Sequence, residues 1–197
     1  MKIYDISQEV FDCTVFPGDP KPQKITVSDI KQGAFYNLTE IHMCAHNGTH
    51  VDSPYHFIDG GKTVDEIPLE KVIGPVYVAE HTGEVTKEDA REILFRAKKA
   101  DERSAKRLLL KGNLVVTPEA AQVFADEALF LVGNESQTVG PSDAPMQVHL
   151  ILLGAEIVLL EGVRLGDVSE GVYFLNAAPL NLGGSDGAPC RAVLIEM

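Results

Sequence analysis

Long apolar runs are absent from this 197-residue sequence, and so is a recognisable export signal. No stretch approaches the roughly 18 consecutive apolar residues that could span a bilayer. The first residues, from Met1 to Ile6, lack the apolar segment and the small-residue cleavage site of a secretory signal. We therefore expect a soluble, cytoplasmic protein.

Cysteine is scarce, and the three that occur, Cys13, Cys44 and Cys190, lie far apart. They include no Cys-x-x-Cys pair of the kind found in zinc ribbons and redox motifs. We expect them to be small buried side chains without disulfide partners. The composition thus argues against a disulfide scaffold and against a closed structural zinc site built from thiolates.

Positive charge is also in short supply, because 17 Lys and Arg face 29 Asp and Glu, for a net charge of −12. Nucleic acids and anionic membrane surfaces are bound by clustered Lys and Arg that neutralise phosphate. The one basic stretch, residues 91–111, also carries acids and is expected to be a solvated helix face. We expect neither nucleic acid nor membrane as a partner.

The patterning of the chain predicts an α/β fold in one domain, residues 1–197, since no repeat, low-complexity tract or linker divides it. Thr86 and the pair Thr117-Pro118 are typical signals for helix N-termini, and Gly154 suits the left-handed residue that ends a helix. The predicted helices are 87–99, 118–126 and 145–154, and the predicted strands are 36–46, 75–80, 105–110, 128–132, 156–161, 172–177 and 191–195.

Chemistry-bearing residues are concentrated in one segment, which reads His46-Asn-Gly-Thr-His50-Val-Asp52-Ser-Pro-Tyr-His56. In a helix, Asp52 would point about 200° away from His50, at about 100° per residue. In an extended chain the three histidines and the aspartate share one side, because side chains alternate with period two. Fully extended, the segment would span about 33 Å, so it must bend, most easily at Gly48 and Pro54.

These residue types indicate a divalent metal site. Imidazole nitrogen and carboxylate oxygen suit a borderline ion such as Zn²⁺, with Mn²⁺ as an alternative. Cys44 has the same parity as the histidines, and a ligand role for it stays open. His42 and His81 are interpreted as an ordinary strand residue and a turn residue.

The segment resembles the cyclase-like metal hydrolases, a family that includes bacterial kynurenine formamidase (arylformamidase) and isatin hydrolase. It matches the motif His-x-Gly-Thr-His-x-Asp-x-Pro-x-His at every fixed position. The likeness covers almost the whole chain and extends to residues 5–7, 17–19, 59–63, 178–180 and 187–191. It implies a β-barrel-like mixed sheet core with peripheral helices, of the swivelling β/β/α type.

The resemblance also implies a site with two zinc ions per chain, Mn²⁺ being possible. His46, His50 and Asp52 would hold one ion, and Asp52 would bridge to a second ion held by His149 and Glu161. His56 would donate and accept protons, and whether it is also a ligand stays open. Relatives form homodimers or larger assemblies, so a homo-oligomer is expected.

The activity implied by the resemblance is cleavage of the C–N bond of a small amide by metal-bound hydroxide, as in the hydrolysis of N-formylkynurenine in tryptophan catabolism. The family carries a Trp before Pro-Gly-Asp that contacts the aromatic substrate, whereas this chain has no Trp and places Phe16 there. Phe16 is therefore the predicted substrate-binding residue, with a stacking face but no indole donor.

Three other functions are alternatives. The first is a cyclic amide hydrolase like isatin hydrolase, and the second is a metal-binding protein without catalysis on the same fold. The retention of His56 argues against the second, because a binding protein needs ligands but no proton shuttle. The third, nucleophilic serine catalysis, is disfavoured because the sequence has no Gly-x-Ser-x-Gly turn.

Overall fold

The computed structural model describes residues 1–196, which form thirteen β-strands and three α-helices. The strands are β1 (Lys2–Asp5), β2 (Gln23–Ser28), β3 (Leu38–His42), β4 (His50–Asp52), β5 (Ile73–Glu80), β6 (Gly83–Val85), β7 (Arg107–Lys111), β8 (Leu114–Val116), β9 (Leu131–Asn134), β10 (Val158–Glu161), β11 (Gly171–Asn176), β12 (Gly187–Pro189) and β13 (Val193–Glu196). The helices are α1 (Lys87–Ala100), α2 (Pro118–Asp126) and α3 (Met146–Gly154).

Nine strands form one mixed sheet in the order β1-β13-β11-β5-β7-β9-β10-β4-β12. The four strands β5, β7, β9 and β10 are parallel to one another. Parallel neighbours need long crossovers, and α1, α2 and α3 supply them in turn. The strands on either side of this parallel group pair antiparallel. The arrangement confirms the predicted α/β class with a mixed sheet.

Apolar side chains on the two faces of this sheet belong to two separate cores. On β7, Leu108 and Leu110 pack with the three helices, whereas Leu109 between them faces the other way. The second core contains no residue of α1, α2 or α3, and it draws instead on strands from β4 to β13 and on their connecting segments. A sheet that encloses its own core must curl, which agrees with the barrel-like core that the resemblance implies.

The first two helices begin where their sequence signals predict. Thr86 and Asp89 form a capping box, in which Asp89 N donates to Thr86 Oγ1 at 3.2 Å and Thr86 N donates to Asp89 Oδ2 at 2.9 Å. Thr117 Oγ1 accepts from Ala120 N at 3.2 Å, with Pro118 as the first helical residue. These bonds satisfy amide groups that a helix N-terminus would otherwise leave unpaired.

Several predicted strand boundaries are wrong. The strand predicted at 36–46 spans only Leu38–His42, and the chain then turns at residues 44–47, where Asn47 N donates to Cys44 O at 3.3 Å. The strands predicted from 105 and 191 begin two residues later, at Arg107 and Val193. Left-handed backbone at Ala128 (φ 50°) delays β9, and at Glu156 (φ 58°) it delays β10. The third helix does end at Gly154, but the left-handed residue is Glu156.

Two composition-based expectations also need correction. The stretch 91–111 is a helix face only up to Ala100, and Arg107 is buried, where it donates to Lys71 O at 3.1 Å and to Pro75 O at 3.0 Å. The three cysteines are free but half-buried rather than fully enclosed.

The antiparallel pair β2–β3 stands outside the main sheet. Nearly every residue of both strands is exposed, including the apolar side chains of Ile25, Val27, Leu38 and Ile41. Across residues 1–196, no helix is long and apolar enough to cross a membrane.

Candidate metal centre

Two neighbouring strands bring three of the candidate ligands to one face of the sheet. On β4, His50 and Asp52 are two residues apart and therefore point to the same side, while Val51 between them enters the second core. Glu161, the last residue of β10, lies directly opposite His50 in the antiparallel register. All three are buried, with exposed fractions of 1–2%.

His46 and His56 reach the same place through turns on either side of β4. The turn at Gly48 leads from His46 into the strand, and Pro54 begins a short 3₁₀ turn that ends at His56. The rings of His46 and His56 lie 4.1 Å apart, centroid to centroid. The predicted bends at Gly48 and Pro54 are thus present, although only residues 50–52 are extended as a strand.

Helix α3 contributes His149 from above this face. Val148 and Leu152 anchor the helix in the core that covers the sheet, which places His149 over β4 and β10. His149 is 3% exposed, and its ring packs against Phe57 with centroids 4.6 Å apart.

The carboxylate of Asp52 lies between two groups of donor atoms. Its Oδ1 is 2.8 Å from His46 Nδ1 and 3.3 Å from His50 Nε2. Its Oδ2 is 3.8 Å from His149 Nε2, which in turn is 3.3 Å from Glu161 Oε1. The six predicted site residues from His46 to Glu161 therefore converge, with Asp52 at their centre and His56 beside them.

Each of the three histidines next to Asp52 or Glu161 has its remaining ring nitrogen engaged. His50 Nδ1 donates to Gly48 O at 3.0 Å, and His149 Nδ1 donates to Pro145 O at 2.9 Å. His46 Nε2 is 2.9 Å from Asp186 Oδ2. With a metal bound, such partners would fix the tautomer, so that the opposite nitrogen presents its lone pair to the cation.

The charges within the cluster shift the pKa values of its histidines away from their ordinary values. Burial alone would lower the pKa of His46, but the hydrogen bond and charge of Asp52, together with Asp186, outweigh it and raise that pKa to about 9. The pKa values of His50 and His149 are raised in the same way, against burial, by Asp52 and Glu161 respectively.

Two further groups, Asp52 and His56, have pKa values that are lowered. Burial would raise the pKa of Asp52, but hydrogen bonds from His46 and His50 hold it well below 3.8. Burial lowers the pKa of His56, which keeps its imidazole neutral near pH 7. The buried carboxylates thus favour positive charge in the site. A divalent cation would supply that charge.

The donor atoms fit divalent ions. His46, His50 and Asp52 offer one set of three, and Asp52, His149 and Glu161 offer another, with the atoms of each set within 4.8 Å of one another. Nitrogen and oxygen donors of this kind suit Zn²⁺ or Mn²⁺. Glu161 Oε1 also accepts from Val139 N at 2.8 Å, which orients its carboxylate.

A cavity of about 230 Å³ opens beside these donors. The half-buried ring of Phe16 forms part of its wall, and Phe57 forms another part. The remaining wall residues outside the ligand set are Asp19, Gln137, Thr138 and Pro145. Pockets for drug-sized ligands have volumes of about 300–1,000 Å³, so this one suits a small molecule.

Three residues considered as sequence candidates lie outside the cluster, and one residue beside it was missed. His42 is exposed on β3 and pairs with Glu40, His81 bonds Glu84 O at 2.9 Å, and Cys44 lies 3.9 Å from Asp19 instead of joining the cluster. The sequence analysis did not single out Asp186. No local pattern marks it, because its contact with His46 spans 140 residues of chain.

Comparisons with known proteins agree with this geometry. The profile of the family described as putative cyclase matches residues 4–141. The chain is 33% identical over 208 residues to the kynurenine formamidase of Salinibacter ruber (strain DSM 13855 / M31), covering 98% of this chain and 97% of that protein.

Solved structures are similar over nearly the full length. One, described as a predicted metal-dependent hydrolase from Bacillus stearothermophilus, has a TM-score of 0.80 at 30% identity and covers 98% of this chain and 97% of its own. Isatin hydrolase A from Labrenzia aggregata has a TM-score of 0.82 at 22% identity and covers 100% and 94%. At 22% identity the latter likeness supports the fold alone.

The fold, the cluster and these similarities together define an enzyme of the metal-dependent hydrolase class. Within that class, the chain belongs to the putative cyclase family.

Proposed function

We propose that this enzyme hydrolyses the C–N bond of a small arylformamide, N-formylkynurenine or a close analogue. The observation that carries the proposal is the position of Asp52, whose two carboxylate oxygens face two separate groups of donor atoms beside a small cavity with an aromatic wall. The similarity to a kynurenine formamidase along almost the whole of both chains supports the substrate class.

In this proposal two zinc ions bind per chain, with manganese as the alternative. His46, His50 and Asp52 would hold one ion, and Asp52, His149 and Glu161 would hold the other. Ions bound there supply Lewis acidity, which polarises a carbonyl group and lowers the pKa of water from about 15.7 to about 7.

His56 moves the proton in the proposed reaction. Its imidazole faces the cavity, 4.1 Å from the ring of His46, and burial lowers its pKa, so it can accept a proton near pH 7. Its Nδ1 lies 3.3 Å from Asp186 Oδ2, which leaves Nε2 as the atom that takes the proton and passes it to the leaving nitrogen. An amine leaves poorly unless it is protonated, so this transfer completes the cleavage.

Aromatic side chains position the substrate. Phe16 and Phe57 both line the cavity that contains the donor atoms. An aryl ring can stack against such aromatic surfaces. Since Phe offers less area than Trp and no donor, we expect this chain to accept simple formanilides as well as N-formylkynurenine.

The test is a hydrolase assay on N-formylkynurenine, formanilide and isatin, with and without a chelator. We expect hydrolysis of the two formamides, loss with chelator and recovery with zinc. His56→Ala should reduce kcat by about 10²–10⁴ while two ions stay bound, since general acid–base catalysis contributes that much. Activity that survives chelation would refute the proposal, turnover of isatin alone would replace the substrate class, and binding of zinc without turnover would indicate a non-catalytic protein.

We also propose that residues 1–197 act as one domain and that two copies associate. The strands β1 and β13, from opposite ends of the chain, are neighbours in one sheet. The pair β2–β3 exposes apolar side chains, and an isolated two-stranded hairpin is marginally stable unless something packs against it. Light scattering should give a dimer mass that falls by half in Val27→Asp/Ile41→Asp and stays unchanged in Leu69→Asp, an exposed site elsewhere. A monomeric wild type would contradict this.

A further inference from the structure

Asp186 contacts two histidines of the site through one carboxylate oxygen. Its Oδ2 lies 2.9 Å from His46 Nε2 and 3.3 Å from His56 Nδ1. The two imidazole rings lie side by side, with centroids 4.1 Å apart and planes inclined by 31°. One of these histidines belongs to the candidate ligand set, and the other is the candidate proton carrier.

The backbone holds Asp186 in this place. Its carbonyl oxygen accepts two hydrogen bonds from Ser53, from N at 3.0 Å and from Oγ at 2.9 Å. The next residue, Gly187, pairs with Asp52 across β12 and β4. Ser53 directly follows Asp52, so the segment that carries the carboxylate is tied to the segment that carries the histidines.

The contact determines which nitrogen of each ring carries a proton. When His46 donates Nε2–H to Asp186, its Nδ1, which lies 2.8 Å from Asp52 Oδ1, is the nitrogen that a bound cation would take in place of a proton. A carboxylate behind a ligating imidazole orients the ring and raises its basicity as a ligand. When His56 donates Nδ1–H to the same oxygen, Nε2 remains the nitrogen that exchanges protons with a substrate.

We propose that Asp186 is a positioning residue that fixes the tautomers of His46 and His56 together and so couples the grip on the metal to proton transfer. The catalytic half of this inference rests on the proposed function, and the tautomer half does not. Asp186 touches neither the substrate nor the reacting bond and acts only through the two rings.

The first test reads the tautomers without any turnover. Long-range ¹H–¹⁵N spectra of the zinc-loaded protein should show His56 as the Nδ1–H form and His46 protonated at Nε2. In Asp186→Ala, His56 should lose the Nδ1–H form, whereas Asp65→Asn should keep it. Asp65 is the matched control, because its Oδ1 accepts from Gly184 N at 2.9 Å in the same loop without touching either histidine. Unchanged tautomers in Asp186→Ala would overturn the inference.

The second test is a double-mutant cycle measured at saturating zinc. Loss of an outer partner of a metal site typically costs about 10–100-fold, so Asp186→Asn should lower kcat by that factor with KM within about threefold. In the His56→Ala background the same substitution should cost less than about twofold, because the ring of His56 is gone and saturating zinc offsets any effect through His46. Asp65→Asn should stay within about twofold in both backgrounds.

Two kinetic outcomes would contradict the coupling. Equal losses in both backgrounds would mean that Asp186 serves only the fold, and full recovery of kcat with excess zinc would mean that it serves only His46. If the wild type hydrolyses none of the amides, the proposed function fails, and the spectra of the loaded protein still decide whether Asp186 sets the two tautomers.

Discussion

Asp52 is the residue on which both halves of the metal centre depend. Each of its carboxylate oxygens faces a different group of donors, and the side chain is 1% exposed. A carboxylate in such a position can stay buried only if positive charge compensates it. Protonated histidines or divalent ions can both do so, and they compete for the same nitrogen atoms.

Replacing Asp52 by Asn should therefore empty both proposed ion sites. Asparagine keeps the shape but presents one oxygen and no charge, so it cannot serve two ions. We expect fewer than one zinc per chain and activity reduced by more than about 100-fold, beyond the loss typical of outer-shell partners. Metal analysis by mass spectrometry and the formamide assay would measure this. Asp59→Asn, on the exposed turn just beyond His56, should change neither quantity.

Gly187 allows the ring of His46 to lie against β12. A Cβ atom at this position would come within 2.7 Å of Val51 O and 2.8 Å of His46 Cε1. We expect Gly187→Ala to lower the free energy of unfolding by about 1–3 kcal/mol, as overpacking does, and to weaken zinc binding. The matched control is Gly183→Ala, whose Cβ would meet only Asp65 Oδ2 at 3.8 Å. Equal stability of the two variants by urea denaturation would contradict this reading.

Individual site residues could be predicted from the sequence where the candidate ligands are close together in the chain. The motif from residue 46 to residue 56 could be recognised because alternation and turn residues act over short distances. His149 and Glu161 were assigned only through family resemblance, since a helix residue and a strand end have no local mark of metal binding. Asp186 was missed because its role arises from tertiary contact alone.

Among the elements, α1 shows how local bonds fix a helix start. The capping box joins Thr86 and Asp89, and the apolar residues Ile93, Leu94 and Ala97 bury one side of the helix. The start could be predicted from the sequence because cap and periodicity are local. The end could be placed only within one residue, at 99 instead of Ala100.

Removal of this cap gives a prediction that is independent of catalysis. Thr86→Ala should lower the free energy of unfolding by about 1 kcal/mol, because an amide group of the first turn loses its acceptor. Helix α1 packs on β5 and β11 and contributes no residue to the cavity wall, whereas the donors stand on β4 and β10, so kcat should be unaffected. Lys87→Ala, at the first helical position, is the control and should leave stability nearly unchanged. An unchanged urea midpoint in Thr86→Ala would show that water replaces the hydroxyl without loss.

The strands were harder to predict than the helices. Strand β7 was found as an apolar run, but β4 and β12 have only three residues each and carry polar or turn-forming side chains. β4 is a strand because it pairs with β10, and β12 is a strand because it pairs with β4. No local pattern in the sequence records either pairing. The order of the nine strands likewise depends on pairing between distant segments, so the sequence alone supported only the α/β class and, by resemblance, the curled sheet.

For the whole molecule, stability and metal binding should depend on pH in opposite directions. The pKa of His46 is about 9 in the folded protein without metal and about 6.5 when unperturbed. Protonated His46 therefore stabilises the folded state fully below pH 6.5, and this stabilisation is lost as the pH rises through 9. Zinc must displace the same proton, so its apparent affinity should rise over this interval.

Thermal unfolding of chelated and zinc-loaded protein at pH 6.5, 7.5 and 9 would measure this. We expect Tm of the chelated protein to fall with pH and the gap between the two forms to widen. At a free zinc concentration of about 1,000 times Kd, the bound form should be more stable by about 4 kcal/mol per site. Two curves that stay parallel would mean that the site histidines are not protonated in the chelated protein.

The donor atoms and the cavity wall belong to different parts of the architecture. His50, Asp52 and Glu161 stand on paired strands, whereas Phe16, Gln137 and Pro145 lie in connecting segments. Strand pairing resists change, and loops tolerate substitution and insertion. Reactivity and selectivity are therefore separable in this scaffold: remodelling a loop can redirect the enzyme toward another compound while the bond-breaking apparatus stays intact.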